Sequence, residues 1–149
     1  MLEDQIKIIT PPDEEAAAQL KSQLIAYNHS RVPQQPPREI LLSIQDDNGD
    51  LLAGLSGRIS YTWLFVDLFW VAEHLRGQGY GTRLLQQAEQ YAREQDCHAV
   101  WLDTYSFQAR GFYEKQGYKV FGQLPRCPRR AHPLFSLQRI WLNPIRRRS

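Results

Sequence analysis

Only two cysteines, Cys97 and Cys127, occur in the 149-residue sequence, too few for a disulfide framework and at no spacing that a metal site uses. Free thiols and no bound metal are expected. Also missing is any run of roughly eighteen apolar residues, the length a bilayer-crossing helix needs. The start, Met1-Leu2-Glu3-Asp4, lacks the basic and then apolar order of a secretory signal. These absences predict a cytoplasmic protein with no membrane partner. Nor is there a charge excess: the formal net charge is +2, too small to imply a nucleic-acid partner. Arg126, Arg129, Arg130, Arg139 and Arg146 to Arg148 do crowd the C-terminal quarter. They read most plainly as a solvated basic end, and alternatively as a local field that draws in a multiply charged phosphate ligand. Internal repeats and low-complexity segments are absent too.

What remains is an ordinary soluble composition, 42% hydrophobic and 23% charged, at a length that suits one domain over residues 1–149. Ile6 to Ile9 is a short β-rich start closed by Thr10-Pro11-Pro12. Asp13, Glu14 and Glu15 then supply the acidic first turn of a helix expected over Ala16 to Tyr27. Asn28 to Arg38 carries three prolines and reads as a loop facing a substrate. Ile40 to Gln45 and Leu51 to Ser60 flank Asp46-Asp47-Asn48-Gly49-Asp50, a strong hairpin signal. Tyr61 to Val71 is almost continuously aromatic or β-branched, as suits a central strand covered on both faces. Further on, Leu84, Leu85, Ala88, Tyr91 and Ala92 recur at the spacing of one helix face. His98 to Tyr105 reads as a strand, Gln108 to Lys115 as a short helix ended by Gly117, and Tyr118 to Gly122 and Phe135 to Leu142 as strands. This order predicts an α+β layered domain around one twisted mixed sheet.

The chemistry concentrates between the central strand and the amphipathic helix, at Leu75-Arg76-Gly77-Gln78-Gly79-Tyr80-Gly81-Thr82. The first N–H groups of a helix have no partner within it, and the dipole adds partial positive charge there. Glycines at 77, 79 and 81 would let the backbone adopt unusual angles and approach an anion closely, a pyrophosphate above all. The dinucleotide fingerprint fails because residue 82 is Thr, and the nucleotide P-loop fails for want of a Gly-Lys-Ser/Thr ending. A glycine turn that merely tightens a strand-to-helix corner is the remaining alternative.

The pattern Arg76-x-x-Gly79-x-Gly81, preceded by an apolar strand ending in Val71, resembles the acetyl-coenzyme A motif of the GNAT acetyltransferases. Ser106-Phe107-Gln108-Ala109-Arg110-Gly111-Phe112-Tyr113, closed by Gly117-Tyr118, resembles the family's second signature, with Ser106 where the family usually carries Asn. The resemblance is clear over residues 62–123. It implies a three-layer α/β/α sheet of about six or seven strands with helices on both faces, and transfer of an acetyl group from acetyl-coenzyme A to an amine in a direct ternary complex. It further implies cofactor contacts from Trp70, Val71, Arg76, Gly77, Gln78, Gly79, Tyr80, Gly81, Thr82, Ser106 and Tyr113. In that family two central strands splay apart and the pantetheine arm bonds to the exposed backbone, which falls here to Trp70 and Val71. The Val71 N–H is the implied oxyanion donor and Tyr113 the general acid toward the sulfur.

The base is not fixed by the resemblance. Strand alternation places Asp67 on the face of Phe65, Phe69 and Val71 as a lone acid in an apolar strand, suited to accept a proton or attract a cationic amine. The competing reading is a carboxylate satisfied by a neighbouring hydroxyl or Arg. Asp103 is the second candidate; Glu73 and His74 are weaker. Trp63, Trp70, Trp101 and Trp141 read as core or sheet-face aromatics. Two other functions compete: a catalytically silent coenzyme A sensor, and a nucleic-acid module on the basic end. The acceptor, a small molecule or a peptide, carries no signature, and a homodimer stands as the commonest symmetric assembly.

Overall fold

The computed structural model describes residues 2–33, 35–129 and 131–141, and its contacts divide the chain into two compact units, residues 1–35 and 36–149. In the first unit a 3-10 turn at Leu2–Gln5 and an irregular stretch precede helix α1, Glu14–His29. Asp13 caps it, its carboxylate accepting the N–H groups of Glu15 and Ala16 at 3.3 and 3.4 Å, the usual satisfaction of orphan helix donors. The strand expected at residues 6–9 does not form. Ile6, Ile8 and Ile9 are exposed, and a β-rich tetrapeptide with no partner strand has nothing to hold it extended.

The second unit is a mixed six-stranded sheet in the order β1-β2-β3-β4-β6-β5. Its strands are β1 Arg38–Gln45, β2 Leu51–Ser60, β3 Trp63–Val71, β4 Ala99–Tyr105, β5 Lys119–Arg129 and β6 His132–Ile140. All neighbours are antiparallel except β3 and β4, which are joined through helix α2, Tyr80–Glu94. This is the expected α+β fold. The first hairpin closes where predicted, with Asp46 Oδ1 accepting the N–H groups of Asn48 and Asp50 at 2.9 Å, an Asx-type turn. Leu55, Ile59, Leu64, Val66, Val100, Leu102 and Leu137 bury one face of the sheet against Leu85, Ala88 and Ala92 of α2. Helix α3, Arg110–Lys115, adds Tyr113 to the same core. Within this unit both helices therefore cover one face.

Two strands depart from expectation. Strand β5 runs on to Arg129 rather than ending near Gly122, because β6 pairs with it across a register shift between Leu124 and Arg129 that absorbs Pro125 and Pro128. Prolines of this kind are tolerated at bulges. Strand β3 is not covered on both faces: Leu68 is 68% and Trp70 48% exposed. Leu142, Arg130 and Arg146 to Arg148 lie outside the described residues.

A buried polar knot pins α2 to the far strands. Glu89, 4% exposed, accepts from the Tyr118 hydroxyl at 2.9 Å and from Arg139 Nη1 at 2.8 Å. Tyr118 also donates its backbone N–H to the Tyr113 carbonyl at 3.0 Å, so the knot fixes the C-terminal end of α3.

Candidate active site

The site begins where the two parallel strands part. Strands β3 and β4 pair only over Trp63–Val66 and Ala99–Leu102; beyond that point β3 keeps β2 alone and β4 keeps β6 alone. A bulge accompanies the parting, since Ser56 faces Leu68 while its neighbour Gly57 faces Val66. Asp67 is thus the extra residue, which bends a strand and re-aims the side chains beyond it. Gly57 permits this, as a Cβ there would lie 2.5 Å from the Phe65 carbonyl oxygen.

Ladder parity then fixes which backbone groups face the gap. The Ala72 N–H donates to the Leu52 carbonyl at 2.8 Å, so Val71 occupies a non-hydrogen-bonded position opposite Ala53 and turns its own N–H and C=O away from β2. Phe69, two residues back, does the same. Trp70 lies between them and directs its backbone groups to β2, which corrects the expectation that Trp70 supplies groups to the gap. On the other lip, the Ser106 N–H donates to the Pro133 carbonyl at 3.0 Å, and the same parity leaves the Tyr105 N–H facing the gap. The Val71 carbonyl accepts from Arg76 Nε at 3.0 Å.

These lips lead into a cleft of about 680 Å³ lined by Phe69, Trp70, Val71, Leu75, Arg76, Gly77, residues 79–82, residues 107–109, Phe112 and Tyr113. Gly79 caps α2 with a left-handed φ of +87° and Gly77 sits at +76°, conformations only glycine adopts without strain. Neither meets another atom within 4 Å at its missing Cβ, so the loop floor is open to a ligand. No side chain caps this helix end, which leaves its first N–H groups aimed at the cleft mouth. Gly81 differs: its φ is not positive, and it leaves room for the Phe112 and Phe69 rings at 3.6 and 3.7 Å. Neither backbone angle nor space demands a glycine here.

Tyr113 is 7% exposed at the inner wall. Its ring meets Phe69 and Tyr118 edge-on or tilted at 6.3 and 5.7 Å between centroids. Burial pushes its phenol up to about 12, because the charged form loses solvation. The hydroxyl is therefore a protonated donor throughout the neutral range.

Other sequence-predicted residues lie elsewhere. Asp67 is exposed; the bulge breaks the alternation, so that Phe65 pairs with Arg58 and Phe69 with buried Leu55 on opposite faces. Asp67 instead lines a smaller recess with Glu39, Ser56 and Arg58. Asp103 is exposed and accepts from Ser136 Oγ at 2.6 Å. Both acids are the first residue past the parting, one on each strand. Ser106 does not line the cleft; its hydroxyl bonds His132 Nδ1 at 3.3 Å. Gln78 turns back to the His74 carbonyl at 3.1 Å, and Thr82 accepts from Gln116 at 3.2 Å. Arg139 is committed to Glu89, so it belongs to the core knot rather than to a phosphate field. The cleft residues absent from the predicted site are Phe69, Leu75, Phe107, Gln108, Ala109 and Phe112, apolar or amide side chains whose place emerges only once the strands part.

Comparison with known proteins agrees with this geometry. The model of the acetyltransferase (GNAT) family matches residues 5–118. A protein named acetyltransferase Atu2258 from Agrobacterium fabrum is 35% identical over 112 residues, covering 75% of this chain and 82% of that protein. Blasticidin-S acetyltransferase of Streptomyces morookaense is 37% identical over 107 residues, covering 70% and 79%. The crystal structure of an acetyltransferase from Bacillus cereus superposes with a TM-score of 0.80 at 31% identity over 90% of this chain and 97% of the other.

Proposed function

This chain belongs to the acetyltransferase (GNAT) family and takes acetyl-coenzyme A as its acetyl donor, and on that premise we propose that it acetylates a small-molecule amine directly, in one ternary complex. The carrying observation is convergence on one cleft: backbone groups freed by the parted strands, an uncapped glycine-lined helix start, and a neutral buried phenol. When bound, acetyl-coenzyme A supplies an activated acyl group and a thiolate leaving group.

The chain's own residues divide the work by position. The open N–H groups at Gly79 to Thr82 take the pyrophosphate, as helix N-termini do. Val71 holds the pantetheine arm through its N–H and C=O, with the Arg76 side chain giving up the carbonyl. Phe69, whose ring packs edge-on against Tyr113, turns its N–H to the gap as Val71 does, and these two N–H groups are the candidate oxyanion donors. A preorganised donor there stabilises charge as it develops. Tyr113 gives its proton to the departing sulfur. Asp67 and Asp103 stand outside the cleft as the first residues past the parting, so a proton leaving the ammonium form of the acceptor reaches them through water.

The Streptomyces relative named for blasticidin S supports a small-molecule acceptor, with blasticidin S the first amine to try. The test is free-thiol release from acetyl-coenzyme A across an amine panel containing it. Release with at least one amine is the expected result. Binding of coenzyme A with no release from any amine would instead favour the silent-sensor reading.

A further inference from the structure

The parted strands leave the Tyr105 N–H without a strand partner, and one side chain claims it. Gln108 Oε1 accepts that N–H at 2.8 Å and lies 3.3 Å from Thr104 Oγ1. Thr104, 2% exposed, is itself near the Ala109 N–H at 3.5 Å. The orientation of the amide is therefore decided: only the carbonyl oxygen can accept a backbone N–H. The amide nitrogen, at the other end of the same planar group, is left with two donors, and no described residue takes them. Gln108 lines the cleft beside Ala109, Phe112 and Tyr113, across from Val71. A donor held by a planar group whose other end is doubly engaged loses little further freedom on binding a ligand.

Resting on the acetyl-coenzyme A reading above, we propose that the Gln108 amide nitrogen is a cofactor-binding donor that meets a carbonyl oxygen of the pantetheine arm, pairing the β4 lip with the arm as Val71 pairs the β3 lip. It takes a task that Ser106 cannot perform, because the Ser106 hydroxyl is turned to His132 outside the cleft. The arm alone carries amide carbonyls at that depth; the nucleotide half of the cofactor belongs at the α2 entrance. Gln108 therefore discriminates the two halves of the ligand, which gives the test its contrast.

Gln108→Glu keeps an oxygen for Tyr105 and Thr104 and removes the donors; the negative charge it adds repels both anionic ligands, so the nucleotide serves as its control. Calorimetry would compare wild type and variant with coenzyme A and with 3′-phosphoadenosine diphosphate, which lacks the arm. The expected result is a loss for coenzyme A roughly five- to tenfold greater than the loss for the nucleotide, the size of one neutral hydrogen bond, with an unchanged melting temperature. Equal affinity of both proteins for coenzyme A would overturn the assignment, and so would equal losses for both ligands, which would mark a general disturbance of the cleft. If wild type binds neither ligand, the cofactor reading itself fails, and the Gln108 assignment with it.

Discussion

In the proposed mechanism Tyr113 gathers most of the chemistry into one hydroxyl. An ordinary tyrosine ionises near pH 10, but here burial shifts it to about 12. The direction matters, because a raised phenol keeps its proton through the range in which an amine acceptor becomes neutral, while proton donation from it is less favourable than from an ordinary tyrosine. Tyr113→Phe should lower kcat by roughly 10²-fold, the low end for general acid catalysis, while the Kd for coenzyme A stays within about twofold. Steady-state rates set beside calorimetry would separate these, and an unaltered kcat would remove the hydroxyl from the mechanism. For wild type no alkaline fall in kcat is expected below about pH 11; a fall centred near 9 would point to a different acid. The place of Tyr113 in the cleft was legible in the sequence because an entire signature surrounds it. The environment of Asp67 was not, since alternation holds only until a bulge, and nothing in Phe65-Val66-Asp67-Leu68 announces one. The Gln108 amide escaped for a related reason: its partner is a backbone N–H that becomes free only where two strands separate.

At the level of elements, the loop before α2 makes two opposite forecasts from residues two apart. Gly79 holds a φ of +87° over open space, so Gly79→Val combines backbone strain with a branched side chain projecting where a phosphate would approach. Coenzyme A affinity should fall at least about 100-fold, equivalent to nearly 3 kcal/mol, with the fold retained. Gly81 sits inside the first turn without a positive φ, and its added methyl would meet the Phe112 and Phe69 rings at ordinary contact distance. Gly81→Ala should therefore bind coenzyme A almost as wild type does and gain up to about 1 kcal/mol from helix propensity; chemical denaturation and calorimetry would check both. The sequence presents these glycines as three of a kind, and only the backbone angles part them. Element types were otherwise readable where periodicity was strong, as in α2 and the first hairpin. The strand expected at residues 6–9 failed because β propensity records fitness for a sheet, not the presence of a neighbour.

Across the whole molecule, the knot of Glu89, Tyr118 and Arg139 makes stability and site geometry depend on one another. It joins α2, whose uncapped start lies at the cleft, to β6 and to the residue that clasps the Tyr113 carbonyl. No pattern in the sequence pairs residues 89, 118 and 139; strand order alone brings them together, with β6 inserted between β4 and β5. Glu89→Ala leaves a hydroxyl and a guanidinium without their acceptor. Because Arg139 is about one-third exposed (34%), water softens the loss, and roughly 2 kcal/mol is expected rather than the larger figure for a sealed pair. The same knot sets an alkaline limit. Tyr118 is pushed above the ordinary tyrosine range, first by burial and then by the Glu89 carboxylate, and Tyr113 is raised by burial. Below about pH 10 both phenols are protonated whether the chain is folded or not, so they add no pH dependence. Above it the unfolded chain ionises while the fold holds both protons, and stability falls by about 1.4 kcal/mol per pH unit for each phenol until its folded value is passed. The Cys97 thiol, also raised by burial, begins to count above about pH 8.5, so urea midpoints measured from pH 7 to 11 should be level at first, decline as the unfolded thiol ionises and then drop more steeply. In Tyr118→Phe the midpoint starts lower at pH 7, for want of the hydrogen bond to Glu89, but the drop above about pH 10 is shallower by one phenol's share. Parallel slopes in the two proteins would show that Tyr118 titrates alike in the folded and unfolded chains, and the knot would then be no seat of the alkaline limit.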